Sequence, residues 1–167
     1  GFASDYTARL TGELRTNDVK WEMYITKTGI GAFAEFKWFE GTSSLDRNTG
    51  QWTLYHSPQF PEELLVIDWL RINGEFSQIT YTYVRDLDDN RETDNFNGSY
   101  LTYGSQDGYY DFYYRVHAYA TSISEFADTY IEWNSGEFNG HIKAYHIYQD
   151  NFWHCWDNMG NDVDCVN

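Results

Sequence analysis

The sequence predicts an all-β protein: an antiparallel meander of about ten short strands, closed or nearly closed into a β-barrel. A β-sandwich is the alternative. Apolar and polar residues alternate with a period of two over most of the chain, and turn residues separate the alternating segments. Aromatic residues make up 20% of the sequence, including 15 Tyr, and such side chains favour pleated sheets. The length of 167 residues fits a single domain spanning 1–167.

The first half of the chain contains five of the predicted strands. The turn Thr28-Gly29-Ile30-Gly31 separates the second from the third, and a Gly- and Ser-rich loop is expected over 41–50. The fifth strand is the most apolar, so we expect both of its sides to be covered. These strands are predicted over residues 5–14, 19–26, 34–38, 51–56 and 64–72.

The second half continues the pattern after Asn73-Gly74, a strong hairpin signal. A helical turn is predicted only over 125–130, and the turn Asn134-Ser135-Gly136 pairs the strands on either side of it. Strands are predicted over residues 79–85, 99–103, 109–121, 129–134 and 141–148, with a last hairpin over 152–165.

Aromatic residues on one side of these strands are the expected core. Consecutive hairpins favour a meander, and closing the sheet would remove its two exposed edges. The alternation then directs one set of rings inward: Trp21, Phe36, Trp38, Trp52, Tyr81, Phe112 and Tyr114.

The charge excludes some classes of partner. The formal net charge is −15, from 26 acidic and 11 basic residues, which disfavours nucleic acid and anionic membrane surfaces. No apolar run approaches the roughly 18 residues of a transmembrane segment. We expect that any export signal has been removed from the chain as numbered.

The two cysteines, Cys155 and Cys165, flank a predicted turn near the end of the chain. Their spacing favours a disulfide that closes the last hairpin, which requires an oxidising compartment. Zinc binding is the alternative, but only His154 lies nearby as a further ligand.

Two acidic segments are candidates for cation binding. In the loop 86–98, oxygen-bearing side chains alternate as in the first half of a calcium loop, although the Gly and Glu of an EF-hand are missing. The second segment, 157–164, has the Asp and Asn residues that also form ordinary turns. The calcium ligands proposed for the first segment are Asp86, Asp88, Asn90 and Glu92.

One row of the strand over 109–121 has a composition unlike a solvated face. Tyr and Arg are enriched at binding hot spots, and this row combines three Tyr with Arg and His. We therefore predict a binding surface formed by Tyr109, Tyr113, Arg115, His117 and Tyr119. No nucleophile elbow or phosphate-binding Gly loop is present, so no catalytic residue is assigned.

Several strand segments resemble uncharacterised exported proteins, often lipoproteins, of Bacteroidetes-type bacteria. The resemblance rests on the strings at 19–25, 50–55 and 79–84 and on the ending His154-Cys155-Trp156-Asp157 to Asp164-Cys165. It implies export and a cell-surface or periplasmic setting, and it implies no defined activity. We predict a location that is extracellular, at the cell surface or periplasmic.

These observations predict an exported, non-enzymatic protein that binds a protein partner, or a small or glycan ligand. A structural subunit that associates with itself or within a larger complex is the second class. An enzyme of unknown class is the third. An aromatic-lined cavity would favour ligand binding, whereas a large apolar outer patch would favour assembly.

Overall fold

Twelve strands form one antiparallel sheet in the computed structural model, and each strand lies beside its neighbours in the sequence. The structure describes residues 4–72, 75–85 and 96–165. One short helix, α1 (Tyr145–Tyr148), interrupts the meander between β10 and β11. The strands are β1 Tyr6–Leu14, β2 Asp18–Lys27, β3 Phe33–Ser44, β4 Thr49–Tyr55, β5 Glu63–Ile72, β6 Glu75–Tyr83, β7 Tyr100–Ser105, β8 Phe112–Ala120, β9 Glu125–Trp133, β10 Gly140–Lys143, β11 His154–Trp156 and β12 Asp162–Val163.

The register sorts the side chains onto two faces, because directly paired residues point to the same side of a sheet and successive residues alternate. We call them the apolar face and the polar face. The apolar face includes Leu10, Trp21, Met23, Phe39, Trp52, Leu65, Ile67, Trp69, Ile79, Tyr81, Leu101, Tyr103, Phe112, Tyr114, Ile131, Trp133, Ile142 and Trp156. The polar face includes Lys20, Glu22, Lys37, Glu40, Gln51, Asp68, Thr80, Thr102, Arg115, Asp128, Glu132 and Lys143.

Glycines on four strands lie beneath aromatic rings of the directly paired residue, and a side chain in their place would meet the ring. The pairs Gly12–Trp21, Gly50–Trp69 and Gly140–Trp156 lie on the apolar face, and Gly104–Tyr113 lies on the polar face. A ring folded over a glycine covers backbone that would otherwise be solvated, and it also fixes strand register.

The predicted closure of the sheet is not confirmed. Within the described residues, β1 pairs only with β2 and β12 pairs only with β11, so the sheet is open. The meander itself is confirmed. Local bulges occur in the β2–β3, β4–β5 and β5–β6 pairings, where they increase twist without bringing the two edges into a ladder.

The prediction that these aromatic rings form a buried core is also wrong. The rings assigned to the interior do share the apolar face, but Trp38 is 44% exposed and Tyr81 is 36% exposed. Within the described chain, Ala144 is the only fully buried hydrophobic residue. The apolar side chains cover one another across strands, and among the described residues no second layer lies above them.

Three boundaries differ from the prediction. β3 extends to Ser44 and β4 begins at Thr49, so the loop expected over 41–50 is a tight turn. The segment expected as a helical turn is the strand β9, and the end of the strand expected over 141–148 is α1. The hairpin residues Asn73 and Gly74 lie outside the described residues, although β5 and β6 pair on either side of them.

The disulfide between Cys155 and Cys165 is confirmed, with a Cα–Cα distance of 5.2 Å. It ties β11 to the segment that follows β12 and closes the last hairpin. In the turn between these strands, the Asp157 carboxylate accepts hydrogen bonds from the backbone N–H groups of Met159 and Asn161, both at 2.9 Å. None of the helices in the described part of the chain has the length and apolar character to cross a membrane.

Candidate functional site

The predicted binding row lies on the polar face, with one exception. Tyr113, Arg115, His117 and Tyr119 alternate along β8. Tyr109 precedes the strand and lies in the turn, where it is 58% exposed and its hydroxyl accepts a hydrogen bond from Asn139 Nδ2 at 2.7 Å. The predicted binding surface therefore has a four-residue row on β8 and a separate tyrosine at its end.

Arg115 lies at the centre of the row. Its guanidinium carbon is 4.8 Å from the centroid of the Tyr113 ring and 5.5 Å from that of Tyr130 on β9. Its Nη2 donates to Glu132, and its Nη1 donates to the carbonyl of Tyr114 at 3.2 Å. The guanidinium is thus held between two aromatic rings by a carboxylate, a rigid arrangement for a residue with many rotamers.

Toward the C-terminal end of β8, the row continues as a stack of rings. His117 stacks on Tyr100 of β7, with a centroid distance of 5.3 Å, and on Phe126 of β9 at 4.9 Å. Its Nδ1 lies 2.7 Å from the carboxylate of Asp128, which fixes the orientation of the imidazole. Tyr119 meets the edge of Phe126 at 5.8 Å and extends the stack.

Glu132 joins the row to the neighbouring strand β10. One carboxylate oxygen accepts from Arg115, and the other lies 3.0 Å from His141 Nε2. Burial pushes the pKa of Glu132 upward, but the hydrogen bonds from His141 and Arg115 outweigh burial and hold the pKa below its ordinary value. The His141 ring stacks on Trp153 at 3.8 Å, so the network continues toward the end of the chain.

A cleft of about 460 Å³ opens beside this network, between β9, β10 and α1. Three of its residues pair directly with the row: Phe126 with Tyr119, Asp128 with His117, and Tyr130 with Arg115. The row therefore supports one wall of the cleft. The remaining lining combines two aliphatic side chains with a carboxylate, an ammonium group, a phenol ring, an imidazole and an amide: Ile123, Ala127, Glu125, Lys143, Tyr145, His146 and Asn151.

The lining of this cleft was missed at the sequence level. The signal was present, since Phe126, Asp128, Tyr130 and Glu132 alternate as a strand face should. The prediction of a helical turn over 125–130 is wrong, and it places these residues out of phase with the row on β8. The contribution of α1 had no comparable signal, because a four-residue helix is too short for an amphipathic pattern.

The cation sites predicted from the sequence have different outcomes. Asp86, Asp88, Asn90 and Glu92 lie outside the described residues. In the segment 157–164, the Asp157 carboxylate caps its own turn. The described part of the chain holds no group of three or more His, Cys, Asp or Glu side chains arranged to bind a metal ion.

No protein-family model, curated protein or solved structure matches this chain.

Proposed function

We propose that this is an exported, non-enzymatic binding protein, and that its polar face binds a neutral carbohydrate in the cleft between β9, β10 and α1. The observation that carries the proposal is the meeting of exposed rings with carboxylate, ammonium and amide groups in one 460 Å³ concavity. Ligand sites commonly have this size and combine apolar walls with a few polar groups.

Carbohydrates suit this mixture of groups. The flat apolar faces of sugar rings pack against aromatic rings, and Phe126, Tyr130 and Tyr145 are all exposed at the cleft. Sugar hydroxyls both donate and accept hydrogen bonds. Asp128 offers acceptors, Lys143 offers donors, and the amide of Asn151 offers both.

The charge of the protein favours a neutral ligand over an anionic one. A net charge of −15 repels anions at long range, and Glu125 and Asp128 bring carboxylates to the cleft itself. Lys143 lies among these carboxylates and reduces the local negative charge.

Export is part of the proposal. The only two cysteines in the sequence form a disulfide, and such bonds persist in oxidising compartments such as the periplasm, the cell surface and the extracellular medium. The strand segments that resemble exported bacterial proteins support the same setting.

Titration calorimetry with a panel of neutral oligosaccharides tests the carbohydrate proposal. We expect at least one panel member to bind, and Tyr130→Ala to weaken that binding about tenfold or more, because a stacking platform is lost. Tyr24→Ala is the matched control, since Tyr24 is also a polar-face tyrosine beneath an arginine, Arg9, but on β2.

Thermal unfolding of both variants shows whether each is folded. Binding that is unchanged by Tyr130→Ala, or that weakens equally in Tyr24→Ala, would place the site elsewhere. A panel with no binder at millimolar concentration would reject the carbohydrate proposal.

Assembly is a second candidate function, and a different observation favours it. The apolar face has no covering layer in the described chain, and large exposed apolar patches commonly mark interaction surfaces.

A further inference from the structure

We infer that the apolar face is covered by the apolar face of a second copy of this chain, so that two open sheets stack into a two-layered dimer. This inference deepens the assembly function proposed above and does not depend on the carbohydrate proposal, because the rings Phe126 and Tyr130 of the cleft lie on the polar face. The cleft meets the apolar face only at the start of β9, at Glu125 and Ala127. The exposed area, the distribution of charge and the lack of an interior in the described sheet all favour a second copy.

The exposed area is much larger than a compact monomer requires. The accessible surface is 11250 Å² for a mass of 19.7 kDa. A compact protein of that mass exposes about 8,600 Å² by the usual scaling with mass. The excess of about 2,650 Å² is roughly three times the 800 Å² or so that each partner buries in a stable interface.

The distribution of charge favours the apolar face as the side on which two copies meet. By register, the charged residues that fall on the apolar face within the described strands stand at or next to strand ends: Lys27, Arg71, Glu125 and Asp162. The middle of the face therefore has no charge to desolvate. Two chains of net charge −15 stacked in this way direct their polar faces away from each other.

The same charge argues against an anionic membrane as the occupant, because the protein would be repelled from it. A second copy needs no separate complementary partner, since rings and aliphatic side chains occur across the whole face from Leu10 to Trp156. Two-fold symmetric dimers are the commonest oligomers of soluble proteins.

Stacking supplies the interior that one open sheet lacks. Two sheets pack face to face about 10 Å apart, with strands within about 30° of each other, and their inner side chains form the core. Tyr103 of β7 and Trp133 of β9 already stack across β8 with a centroid distance of 6.0 Å, as do Trp21 of β2 and Trp52 of β4 across β3 at 6.4 Å. These ring clusters give each copy a preformed surface of rings.

Sedimentation equilibrium of the full chain, with its disulfide intact, tests the inference. The wild-type protein is expected to sediment at twice 19.7 kDa at micromolar concentration. Tyr81→Lys places a charge in the middle of the apolar face and is expected to raise the dimer dissociation constant about a hundredfold. Its matched control is Thr82→Lys, the next residue on the same strand, whose side chain lies on the polar face.

A second pair of variants, on β1, keeps the test valid if the Tyr81→Lys protein does not fold. Leu10 is 52% exposed on the edge strand β1, so Leu10→Lys perturbs little within one chain, whereas Thr11→Lys changes the opposite face. Leu10→Lys is expected to weaken the dimer and Thr11→Lys to leave it intact.

A wild-type protein that stays monomeric at 100 µM, on the order of the concentration that reveals weak dimers, would overturn the inference. So would a dimer that the polar-face lysines disrupt and the apolar-face lysines do not. A monomer that binds neutral phosphatidylcholine vesicles would identify lipid as the occupant instead, and would equally overturn it.

Discussion

The two faces of this sheet are built from alternate residues of the same strands. They differ in whether their side chains find partners within the chain. On the polar face, Arg115 is paired with Glu132, and His117 Nδ1 lies 2.7 Å from Asp128, so these polar groups have partners within the face. On the apolar face, rings such as Tyr103 and Trp133 stack on each other and remain partly exposed to solvent. One face is complete within the single chain, whereas the other still has apolar surface to bury.

A period-two pattern predicts which side of a sheet is apolar, and this is a different question from what covers that side. Alternation shows that a sheet has one polar and one apolar side, but it does not show what covers the apolar side. A closed barrel, a second layer within the chain and a second copy all satisfy the same pattern. The exposure and the contacts of each face therefore say more about function than the alternation alone.

The largest loss of stability is expected at Gly41 on the apolar face, where neighbouring backbone leaves no room for a side chain. A Cβ at Gly41 would come within 2.9 Å of Trp52 Cα, and still nearer to the Gln51 carbonyl. Neither backbone atom can move without breaking the β3–β4 ladder. We expect Gly41→Val to lower the free energy of unfolding by about 3 kcal/mol or more, measured by chemical denaturation.

Gly136→Ala is the control for this prediction. It lies in a turn, and the nearest atom to its added Cβ is 3.5 Å away, so stability should be nearly unchanged. If Gly41→Val is tolerated as well as Gly136→Ala, the close approach of β3 and β4 is wrong.

A smaller loss of stability is expected when Glu132 on the polar face is replaced, and this loss depends on pH. The pKa of Glu132 is lowered in the folded protein, so this group contributes stability above its ordinary value of 4.5 and loses that contribution as pH falls through the lowered value. Glu132→Gln should therefore cost about 1–2 kcal/mol at neutral pH and progressively less below pH 4.5.

Denaturant unfolding as a function of pH measures this dependence. Glu137→Gln removes the same charge from an exposed turn residue, and its curve should run parallel to that of the wild type. If the wild type and Glu132→Gln differ equally at every pH, the ion pairs of Glu132 with Arg115 and His141 do not stabilise the fold.

Local features could be predicted from the sequence because local chemistry decides them. The disulfide follows from two cysteines on either side of a turn of Asp, Asn and Gly residues, and the outward row on β8 follows from strict alternation. The strand at 125–133 was partly misassigned, because Phe126-Ala127-Asp128 has little β-branched character and competes weakly with a helical pattern.

The openness of the sheet could not be predicted, because closure depends on strand tilt and stagger summed over all twelve strands. The glycine and ring pairs were missed for a related reason. Gly12 and Trp21, or Gly140 and Trp156, lie opposite each other only in the final register, which the sequence does not display.

In an open sheet the outer edge of β1 is unpaired, whereas in a closed barrel it pairs with another strand. Residue-resolved hydrogen exchange along β1 distinguishes the two. The bonds from Thr28 N to Asp5 O and from Arg15 N to Asp18 O set the ladder, so the amides of Thr7, Arg9 and Thr11 point toward β2. Those of Ala8, Leu10 and Gly12 point away from it. We predict that the first set is protected and the second exchanges nearly as fast as an unstructured chain, whereas equal protection of both sets would show that β1 pairs on both sides and would contradict the open sheet.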